Sequence, residues 1–374
     1  MAITAVECFQ VAWPDQAEFG GRSAWVRIRD DSGEVGLGEV SPMEGGIVAL
    51  TAIEVHLKPL LLGADPIDSA VLQERMLHKI VKFGPGGIAT HALAGIDIAL
   101  WDLKGKLLKQ PVFKLLGGAW RRELPFYASV GGPNAKRSVD EVVRAVEARL
   151  ADKPAMVKLR LESDRSRRDI DIAGDIAKAR AVRKLVGEGF PLAFDANNAY
   201  SISGAIRVGR ALEELGYRWF EEPVQHYHIR AMGEVAQKLD IAVSAGEQTY
   251  MLQDFAELID AGVRVLQPDI IKMGGFTGLM QVQALAHARG CDVIPHQTQP
   301  TIGNAANLHF VASQLHGWAP AEVNDASGRQ AVVFKAVPRL QDGLFRLTDA
   351  PGLGVEADEA ALASRMVRLP GAAG

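Results

Sequence analysis

The sequence predicts an α/β fold in which a parallel β/α barrel follows a smaller α+β region. From about residue 125 to 325, short apolar runs alternate with helix-length segments, and the runs begin ~23–35 residues apart, the length of one strand–helix unit. Almost every run ends in a polar or charged residue, and barrels collect their active-site groups at this end of their strands. These two observations favour a closed barrel with its functional residues at one face.

The predicted barrel strands are evenly spaced along the chain. There are eight of them, at Phe126–Val130, Met156–Leu161, Pro191–Asn197, Arg218–Pro223, Ala242–Glu247, Val265–Ile270, Asp292–His296 and Ala321–Asp325. A doubly wound open sheet is the alternative. It predicts no closure and usually a glycine-rich first turn, which this sequence lacks.

Residues 1–124 carry a different pattern and are assigned to an N-terminal α+β domain. Three strands are predicted, with the polar loop Pro14–Arg22 between the first two, at Ala5–Trp13, Ser23–Arg29 and Gly36–Val40. Helical periodicity predicts three helices, at Ile47–Leu62, Ser69–Ile80 and Thr90–Leu107.

The C-terminal segment has the weakest pattern. The barrel is assigned to residues 125–334, and the segment 335–374 is expected to return to the N-terminal domain. Two stretches are candidates for this return, Leu340–Leu347 and Gly352–Val355. Gly371–Gly374 is predicted to be a frayed tail.

Composition excludes several functional classes. The chain has 374 residues, 48% hydrophobic and 23% charged, which is ordinary globular composition. A net charge of −4 provides no basic field for a nucleic acid, and Cys8 and Cys291 match no zinc or disulfide pattern. No apolar run approaches the length of a membrane span, and Met1–Gln10 lacks the basic flank of a secretory signal. We therefore expect a cytoplasmic protein without a membrane or nucleic-acid partner.

Three acidic residues at the ends of consecutive predicted strands are candidate metal ligands. Asp195, Glu221 and Glu247 follow one another at intervals of 26 residues, one barrel unit. Because neighbouring strands lie ~4.8 Å apart, side chains at one level can converge on one ion. Clustered carboxylates without a cation would repel one another and lose hydration. An all-oxygen set favours Mg²⁺, or Mn²⁺ in its place.

Two basic residues on the second predicted strand are candidate substrate anchors. Lys158 and Arg160 share one face because strand side chains alternate with a period of two. Beside a metal at the barrel mouth, such a pair can bind an anionic substrate. Asn197 ends the third strand at the same face and is a candidate substrate contact.

Further candidates end the later strands. Asp269 and His296 end the sixth and seventh strands, where the aspartate can fix the tautomer of an acid–base histidine and raise its basicity. Glu322 on the eighth strand can present a carboxyl group to developing charge. His226 and His228 follow the fourth strand, and the sequence supports equally a contact with a polyhydroxy substrate and an ordinary place in a loop.

The order of these motifs resembles the enolase superfamily, and specifically its mandelate racemase subgroup. The resemblance covers nearly the whole chain and includes the stretch His91–Asp102. The motifs are Lys-x-Arg at 158–160, Asp-x-Asn at 195–197, Glu-Glu-Pro at 221–223, Gly-Glu at 246–247, Asp269 followed by Lys-x-Gly-Gly, and Pro-His at 295–296.

This resemblance implies a modified TIM barrel of the (β/α)7β type under a capping domain built from the N-terminal segment and the C-terminal tail. It implies Mg²⁺ on the three carboxylates, an Asp269–His296 dyad, and a hydrogen bond from Glu322 to an enolate. The shared chemistry is abstraction of a proton α to a carboxylate in a small-molecule substrate. Loops 14–22, which includes Arg22, and 42–46 would close over this substrate. A homo-oligomer is also expected, and the candidate substrate contacts are Asn197, Arg22 and His226.

Two residues bear on the reaction itself. Relatives that resemble muconate-lactonizing enzymes carry lysine at the position of Asp269, which counts against cycloisomerase or dipeptide epimerase activity. The subgroup's usual second lysine of Lys-x-Lys is an acid–base group, and here it is Arg160, whose guanidinium keeps its proton far above neutral pH and is a poor base. Racemisation needs acid–base groups on both faces of one carbon, whereas a syn elimination can use His296 for both proton transfers.

We expect dehydration of a sugar acid to a 2-keto-3-deoxy acid through an enediolate. The alternatives are racemisation or epimerisation of a 2-hydroxy acid, and carboxylate binding without turnover.

Overall fold

The secondary structure alternates as the spacing predicts. The structure is a computed structural model and describes residues 1–13, 21–131, 134–161, 164, 166–315, 317–323 and 328–369. The strands are β1 (Ile3–Ala12), β2 (Arg22–Asp30), β3 (Val35–Val40), β4 (Glu123–Val130), β5 (Met156–Arg160), β6 (Leu192–Asp195), β7 (Trp219–Glu221), β8 (Ala242–Ala245), β9 (Val265–Leu266), β10 (Asp292–Val293), β11 (Ala321–Val323), β12 (Phe334–Ala336), β13 (Leu340–Gln341), β14 (Leu344–Arg346), β15 (Glu356–Ala357) and β16 (Met366–Arg368).

The helices connect these strands. They are α1 (Ile47–Ala52), α2 (Lys58–Leu61), α3 (Ser69–Ile80), α4 (Ile88–Leu107), α5 (Val112–Leu115), α6 (Val139–Leu150), α7 (Ile172–Val186), α8 (Ile202–Glu214), α9 (Ile229–Lys238), α10 (Leu252–Ala261), α11 (Gly275–Ala288), α12 (Ile302–Ser313) and α13 (Glu359–Ala363). No helix of the described residues is long and apolar enough to cross a membrane.

The N-terminal domain is an antiparallel sheet covered by helices. Its strand order is β16-β1-β2-β3, so the end of the chain pairs with its beginning. Helix α4 lies against β3 at a close approach that glycines permit. A Cβ atom on Gly38 would lie 2.0 Å from the carbonyl oxygen of Gly95, and one on Gly95 would lie 2.3 Å from Val40. The predicted helix 47–62 is divided into α1 and α2 by a π-helical turn at Ile53–Leu57.

The barrel has the predicted (β/α)7β arrangement. Strands β4 to β10 pair in parallel in chain order, β11 pairs in parallel with β4, and each connection contains one of the helices α6 to α12. Within the described residues, no strand ladder joins β10 to β11. The predicted α/β fold class is confirmed.

A layer of side chains fills the barrel interior beneath the site. Met156, Ala193, Trp219 and Ile294 are buried together. Each lies two residues before a candidate site residue, namely Lys158, Asp195, Glu221 and His296. Because strand side chains alternate, the site residues share the interior face with this apolar layer. The layer therefore forms the floor of a polar site.

The C-terminal segment contacts both domains. Leu344–Arg346 pairs antiparallel with the start of β4, so Leu340–Leu347 extends the barrel sheet. Contrary to the expectation, this stretch does not return to the N-terminal domain. The expectation failed because two short strands carry little sequence pattern of their own. Gly352 forms a bridge with Pro111, so Gly352–Val355 does reach the N-terminal domain. The predicted tail 371–374 and residues 14–20 of the loop lie outside the described residues.

Buried hydrogen bonds join the capping domain to the barrel. Asp97 of α4 accepts bonds from the backbone N–H (3.1 Å) and the hydroxyl (2.5 Å) of Thr277 on α11. Glu39 of β3 accepts one from the N–H of Gly303 on α12 at 2.8 Å. The barrel mouth is therefore held under the capping domain by specific polar contacts.

Candidate active site

Three carboxylates converge at the carboxyl ends of β6, β7 and β8. Asp195 and Glu221 occupy paired positions of neighbouring strands, and Glu247 follows β8. One oxygen from each lies within 4.8 Å of the others, and all three side chains are buried. The even spacing in the sequence thus becomes an acidic cluster inside the barrel.

The cluster fits a hard divalent cation. Among the described residues, Asp195 Oδ2 is buried without a hydrogen-bond partner. Burial and repulsion from Glu221 raise the pKa of Asp195 well above its usual value. A buried oxygen without a donor is costly unless something else binds it, and an all-carboxylate set matches the preference of Mg²⁺. These residues therefore suit the ion that the sequence predicted.

Lys158 is the central cation of the site. Its Nζ lies 2.9 Å from Glu221 Oε1, 2.9 Å from Glu322 Oε1 and 4.0 Å from Asp195 Oδ2. Burial opposes the charge, but attraction to Glu221 and Glu322 outweighs it and raises the pKa of Lys158 well above its usual value. Lys158 therefore stays protonated and joins β5 to β11, the two strands that pair with β4 on either side.

Asp269 and His296 form a hydrogen-bonded pair. His296 Nδ1 lies 2.7 Å from Asp269 Oδ2, and the two residues form a parallel bridge beyond β9 and β10. Asp269 Oδ1 accepts a second bond from the N–H of Ile271 at 2.9 Å, so the carboxylate is oriented from both oxygens. With Nδ1–H donated to aspartate, Nε2 is the ring atom left to exchange a proton.

Nε2 of His296 faces the acidic cluster. It lies 3.0 Å from Glu247 Oε2. Burial lowers the pKa of His296, but attraction to Glu247 and the bond to Asp269 outweigh it, so the pKa is raised. The acid–base pair and the ligand set therefore border the same space.

Glu322 is held as an anion. Burial raises its pKa, but attraction to Lys158 and His296 outweighs burial, so the pKa of Glu322 is lowered. Its other oxygen, Oε2, accepts a bond from the N–H of Gln297 at 3.1 Å. Donation from Glu322 to an enolate, as the resemblance implies, requires that this carboxylate first take up a proton.

Arg160 and Asn197 lie at the edge of the cluster. A Cβ atom on Gly131 would lie 2.3 Å from Arg160 Nη2, so the glycine makes room for this guanidinium. Burial raises the pKa of Glu247, but attraction to His296, to two lysines and, least, to Arg160 outweighs burial and lowers the pKa. Asn197 adopts a left-handed backbone conformation (φ 50°) and donates its N–H to Asp195 Oδ1 at 2.7 Å.

The remaining candidates lie further out. Arg22 is exposed on β2 and donates to Gln10 Oε1. The backbone N–H of His226 donates to Asn198 Oδ1 at 2.6 Å, and its ring Nδ1 lies 3.2 Å from the same oxygen. His228 is exposed. Contact of Arg22 or His226 with a substrate stays a prediction.

Sequence reasoning assigned no role to two polar residues that complete the site. Gln267 Nε2 donates to Glu221 Oε2 at 2.6 Å, and Lys272 Nζ donates to the carbonyl oxygen of Glu247 at 3.1 Å. Gln267 could have been found from the sequence, because it lies two residues before Asp269 and therefore on the same face of the strand. Lys272 stands in the quoted Lys-x-Gly-Gly motif, but nothing local indicates what its side chain contacts.

Family comparison agrees with this geometry. Residues 9–117 match the N-terminal domain of mandelate racemase/muconate lactonizing enzyme, and residues 140–361 match the enolase C-terminal domain-like model. The chain belongs to the mandelate racemase/muconate lactonizing enzyme family. The resemblance inferred from the motifs is confirmed.

Two characterised relatives from this family have similar identity to the chain. An arabinonate dehydratase of Saccharolobus solfataricus is 31% identical over 88% of this chain and 86% of its own length. A 3,6-anhydro-alpha-L-galactonate cycloisomerase of Streptomyces coelicolor is also 31% identical, over 89% of this chain and 88% of its own. The family relationship alone therefore does not separate dehydration from cycloisomerisation.

A solved structure from this family has the same fold. The mandelate racemase/muconate lactonizing protein of Paracoccus denitrificans, complexed with magnesium, is 58% identical, covers 98% of both chains and superposes with a TM-score of 0.94. Together with the acidic cluster, this magnesium complex points to Mg²⁺ as the ion of the family site.

Proposed function

We propose that this chain is a Mg²⁺-dependent hydro-lyase that removes water from a sugar acid and forms a 2-keto-3-deoxy acid. The observation that carries the proposal is the hydrogen-bonded Asp269–His296 pair, whose Nε2 faces a buried cluster of three carboxylates. The dehydratases among the relatives support the same reaction.

In this proposal Asp195, Glu221 and Glu247 hold the cation. Bound there, Mg²⁺, or Mn²⁺ in its place, would supply Lewis-acid neutralisation of the negative charge that develops on the substrate carboxylate. Lys158, protonated and 1% exposed, contributes a fixed positive charge beside the same carboxylate. Arg160 and Asn197 are assigned to binding and orienting the substrate.

His296 performs the proton transfers. Its Nε2 takes the proton from the α-carbon, and the electron pair moves into the carboxylate to give an enediolate. The bond from the β-carbon to its hydroxyl then breaks, and the same Nε2 returns its proton so that water leaves on the same face. The resulting enol becomes the 2-keto product. Asp269 keeps Nδ1 protonated throughout, which directs all exchange to Nε2.

Arg160 favours elimination over racemisation. Inversion at the α-carbon needs a second group that exchanges protons on the opposite face, and the guanidinium of Arg160 stays charged near neutral pH. An elimination on one face needs only His296. Racemisation or epimerisation of a 2-hydroxy acid therefore ranks below dehydration.

Cycloisomerisation is the second candidate function. The observation that favours it is the presence of two cycloisomerases among the relatives, 31% and 30% identical to this chain. Asp269, in place of the lysine of relatives that resemble muconate-lactonizing enzymes, counts against it, so cycloisomerisation ranks below dehydration. Cycloisomerisation would also begin with removal of an α-proton but would release no water.

A mass-spectrometric screen in deuterium oxide tests the proposal. The protein is incubated with Mg²⁺ and a library of aldonic, uronic and aldaric acids and their lactones. We expect one acid to yield a keto product lighter by one water. Deuterium uptake at unchanged composition, with inverted configuration, would replace the proposal by racemisation. A structural isomer formed from a lactone without loss of water, with or without deuterium, would replace it by cycloisomerisation.

A further inference from the structure

A buried lysine to which the proposed reaction assigns no role contacts both the acid–base pair and a candidate metal ligand. Lys272 is 7% exposed, in the turn between β9 and α11. Its Nζ lies 3.6 Å from Asp269 Oδ2 and donates to the carbonyl oxygen of Glu247 at 3.1 Å. One ammonium group therefore joins the aspartate of the acid–base pair to the backbone of a candidate metal ligand.

A tight backbone turn after Asp269 orients the side chain of Lys272. The N–H of Lys272 donates to the carbonyl of Asp269 at 2.9 Å, which closes a tight turn directly after Asp269. The side chain then extends to the neighbouring strand end at Glu247. The two contacts thus span β9 and β8, whose ends carry the two groups.

Among the residues that the structure describes, Asp269 Oδ2 would keep only the contact with His296 Nδ1 if Lys272 were removed. His296 also contacts Glu247 through Nε2, so the ring lies between two carboxylates. The ammonium group of Lys272 contacts the carboxylate of Asp269 and attracts that of Glu247, so it offsets their repulsion and limits how Asp269 can rotate.

We propose that Lys272 is a positioning residue that holds the Asp269–His296 pair in register with the cation-binding end of β8. The proposal rests on the function proposed above for its catalytic consequence. Its geometric part, the orientation of His296 by Asp269, is independent of which reaction the site performs.

Lys178 provides a matched control within the same barrel. It is also buried, on α7, with Nζ 3.3 Å from Asp175, three residues earlier in the chain, and 3.1 Å from the carbonyl of Ala135. This pattern of one carboxylate and one carbonyl is the same as at Lys272, but it lies outside the proposed machinery. Replacing Lys178 therefore shows how far the loss of any buried lysine affects the resonance of His296 and the turnover.

The test compares Lys272→Met, Lys272→Arg and Lys178→Met by two readouts. The first is the Nδ1–H resonance of His296 in histidine-labelled full-length protein, assigned by its loss in His296→Asn and recorded without substrate. The second is α-proton exchange and steady-state turnover with the acid found in the screen.

We expect Lys272→Met to shift or broaden the His296 Nδ1–H resonance and to lower kcat by about 10–100-fold with little change in KM, as for other residues that orient a ligand or base. Lys272→Arg should recover part of both effects. Lys178→Met should change neither, whatever it costs in stability.

An unchanged resonance and unchanged kcat in folded Lys272→Met would overturn the inference. Equal losses in Lys178→Met would also overturn it, because the effect would then be structural. If Lys272→Met does not fold, Lys272→Gln, which can still donate to the Glu247 carbonyl but carries no charge, is read by the same criteria. Failure of the screen would remove the kinetic readout and the proposed reaction but leave the resonance as a test of positioning.

Discussion

Buried carboxyl groups occur in two regions of this molecule, and the regions differ in how these groups are hydrogen-bonded and how closely they cluster. In the capping domain and where it meets the barrel, three buried carboxyls each have their own donors from the protein. Asp97 accepts from Thr277, Glu39 from Trp25 and Gly303, and Asp102 from Leu37 and Leu353. At the barrel mouth the carboxylates lie together, and Asp195 Oδ2 has no donor among the described residues.

This difference separates a structural role from a functional one. A buried carboxyl with its own N–H and O–H donors is stable where it is and joins two elements. Clustered carboxylates with an unmatched oxygen are stable only when a cation or ligand is present. Burial alone would rank the two regions equally, and the clustering of the mouth carboxylates with the unmatched Asp195 Oδ2 distinguishes them.

Removing a mouth carboxylate should have the largest effect. Glu221→Gln replaces an anionic oxygen with an amide and removes one of the two charges that lie 2.9 Å from Lys158. We expect Mg²⁺ affinity, measured by calorimetry, to fall more than about 100-fold, because outer-shell changes alone cost 10–100-fold, and turnover to be lost. Glu257→Gln, on the exposed side of α10, should behave as the unmodified protein. Unchanged Mg²⁺ affinity in Glu221→Gln would show that the cluster is not the metal site.

Removing the base should separate chemistry from metal binding. His296→Asn deletes the proton-exchanging Nε2 and leaves the three carboxylates in place. We expect α-proton exchange to fall by about 10²–10⁴-fold while Mg²⁺ affinity changes less than about tenfold. Exchange is followed by mass spectrometry in deuterium oxide, and metal affinity by calorimetry. Near-normal turnover in this variant would contradict the assigned role of His296.

The buried carboxyl of Glu39, between the capping domain and the barrel, should make the free energy of unfolding depend on pH. Burial raises the pKa of Glu39 to about 7, against hydrogen bonds from Gly303, Trp25 and Ser23 that lower it. The unfolded chain therefore releases this proton first as pH rises, so Glu39 stabilises the fold below pH ~4.5, and this contribution is lost as pH rises through about 7.

We expect the free energy of unfolding of the unmodified protein to fall by about 3 kcal/mol more than that of Glu39→Gln between these two pH values. Denaturant titrations at several pH values measure this difference. Parallel pH profiles of the two proteins would show that Glu39 keeps an ordinary pKa in its buried position.

The smallest expected effect concerns Arg160. Arg160→Lys keeps the positive charge but loses the planar, bidentate donor geometry, so we expect KM for a sugar acid to rise about tenfold with kcat little changed. Steady-state kinetics measure both constants. A variant that gains or keeps inversion at the α-carbon, followed by polarimetry, would instead support the racemase alternative.

Much of the fold was predictable because the relevant signals are local. The periodicity of 69–80 predicted α3 with its observed ends, and strand–helix spacing predicted the eight parallel strands. Intervals of 26 residues predicted that Asp195, Glu221 and Glu247 would meet, since each interval is one barrel unit. Most of the candidate site residues could be named for the same reason, because they lie at or just beyond the carboxyl end of a barrel strand.

The partners of these residues were not predictable in the same way. Lys158 bonds to Glu322 on the far side of β4, Lys272 reaches from β9 to the end of β8, and Leu344–Arg346 pairs with β4. Spacing and alternation along the chain specify which face of a strand a residue occupies. Which buried charge meets which counter-charge depends on closure of the barrel and on packing between segments far apart in sequence, and only the tertiary structure decides it.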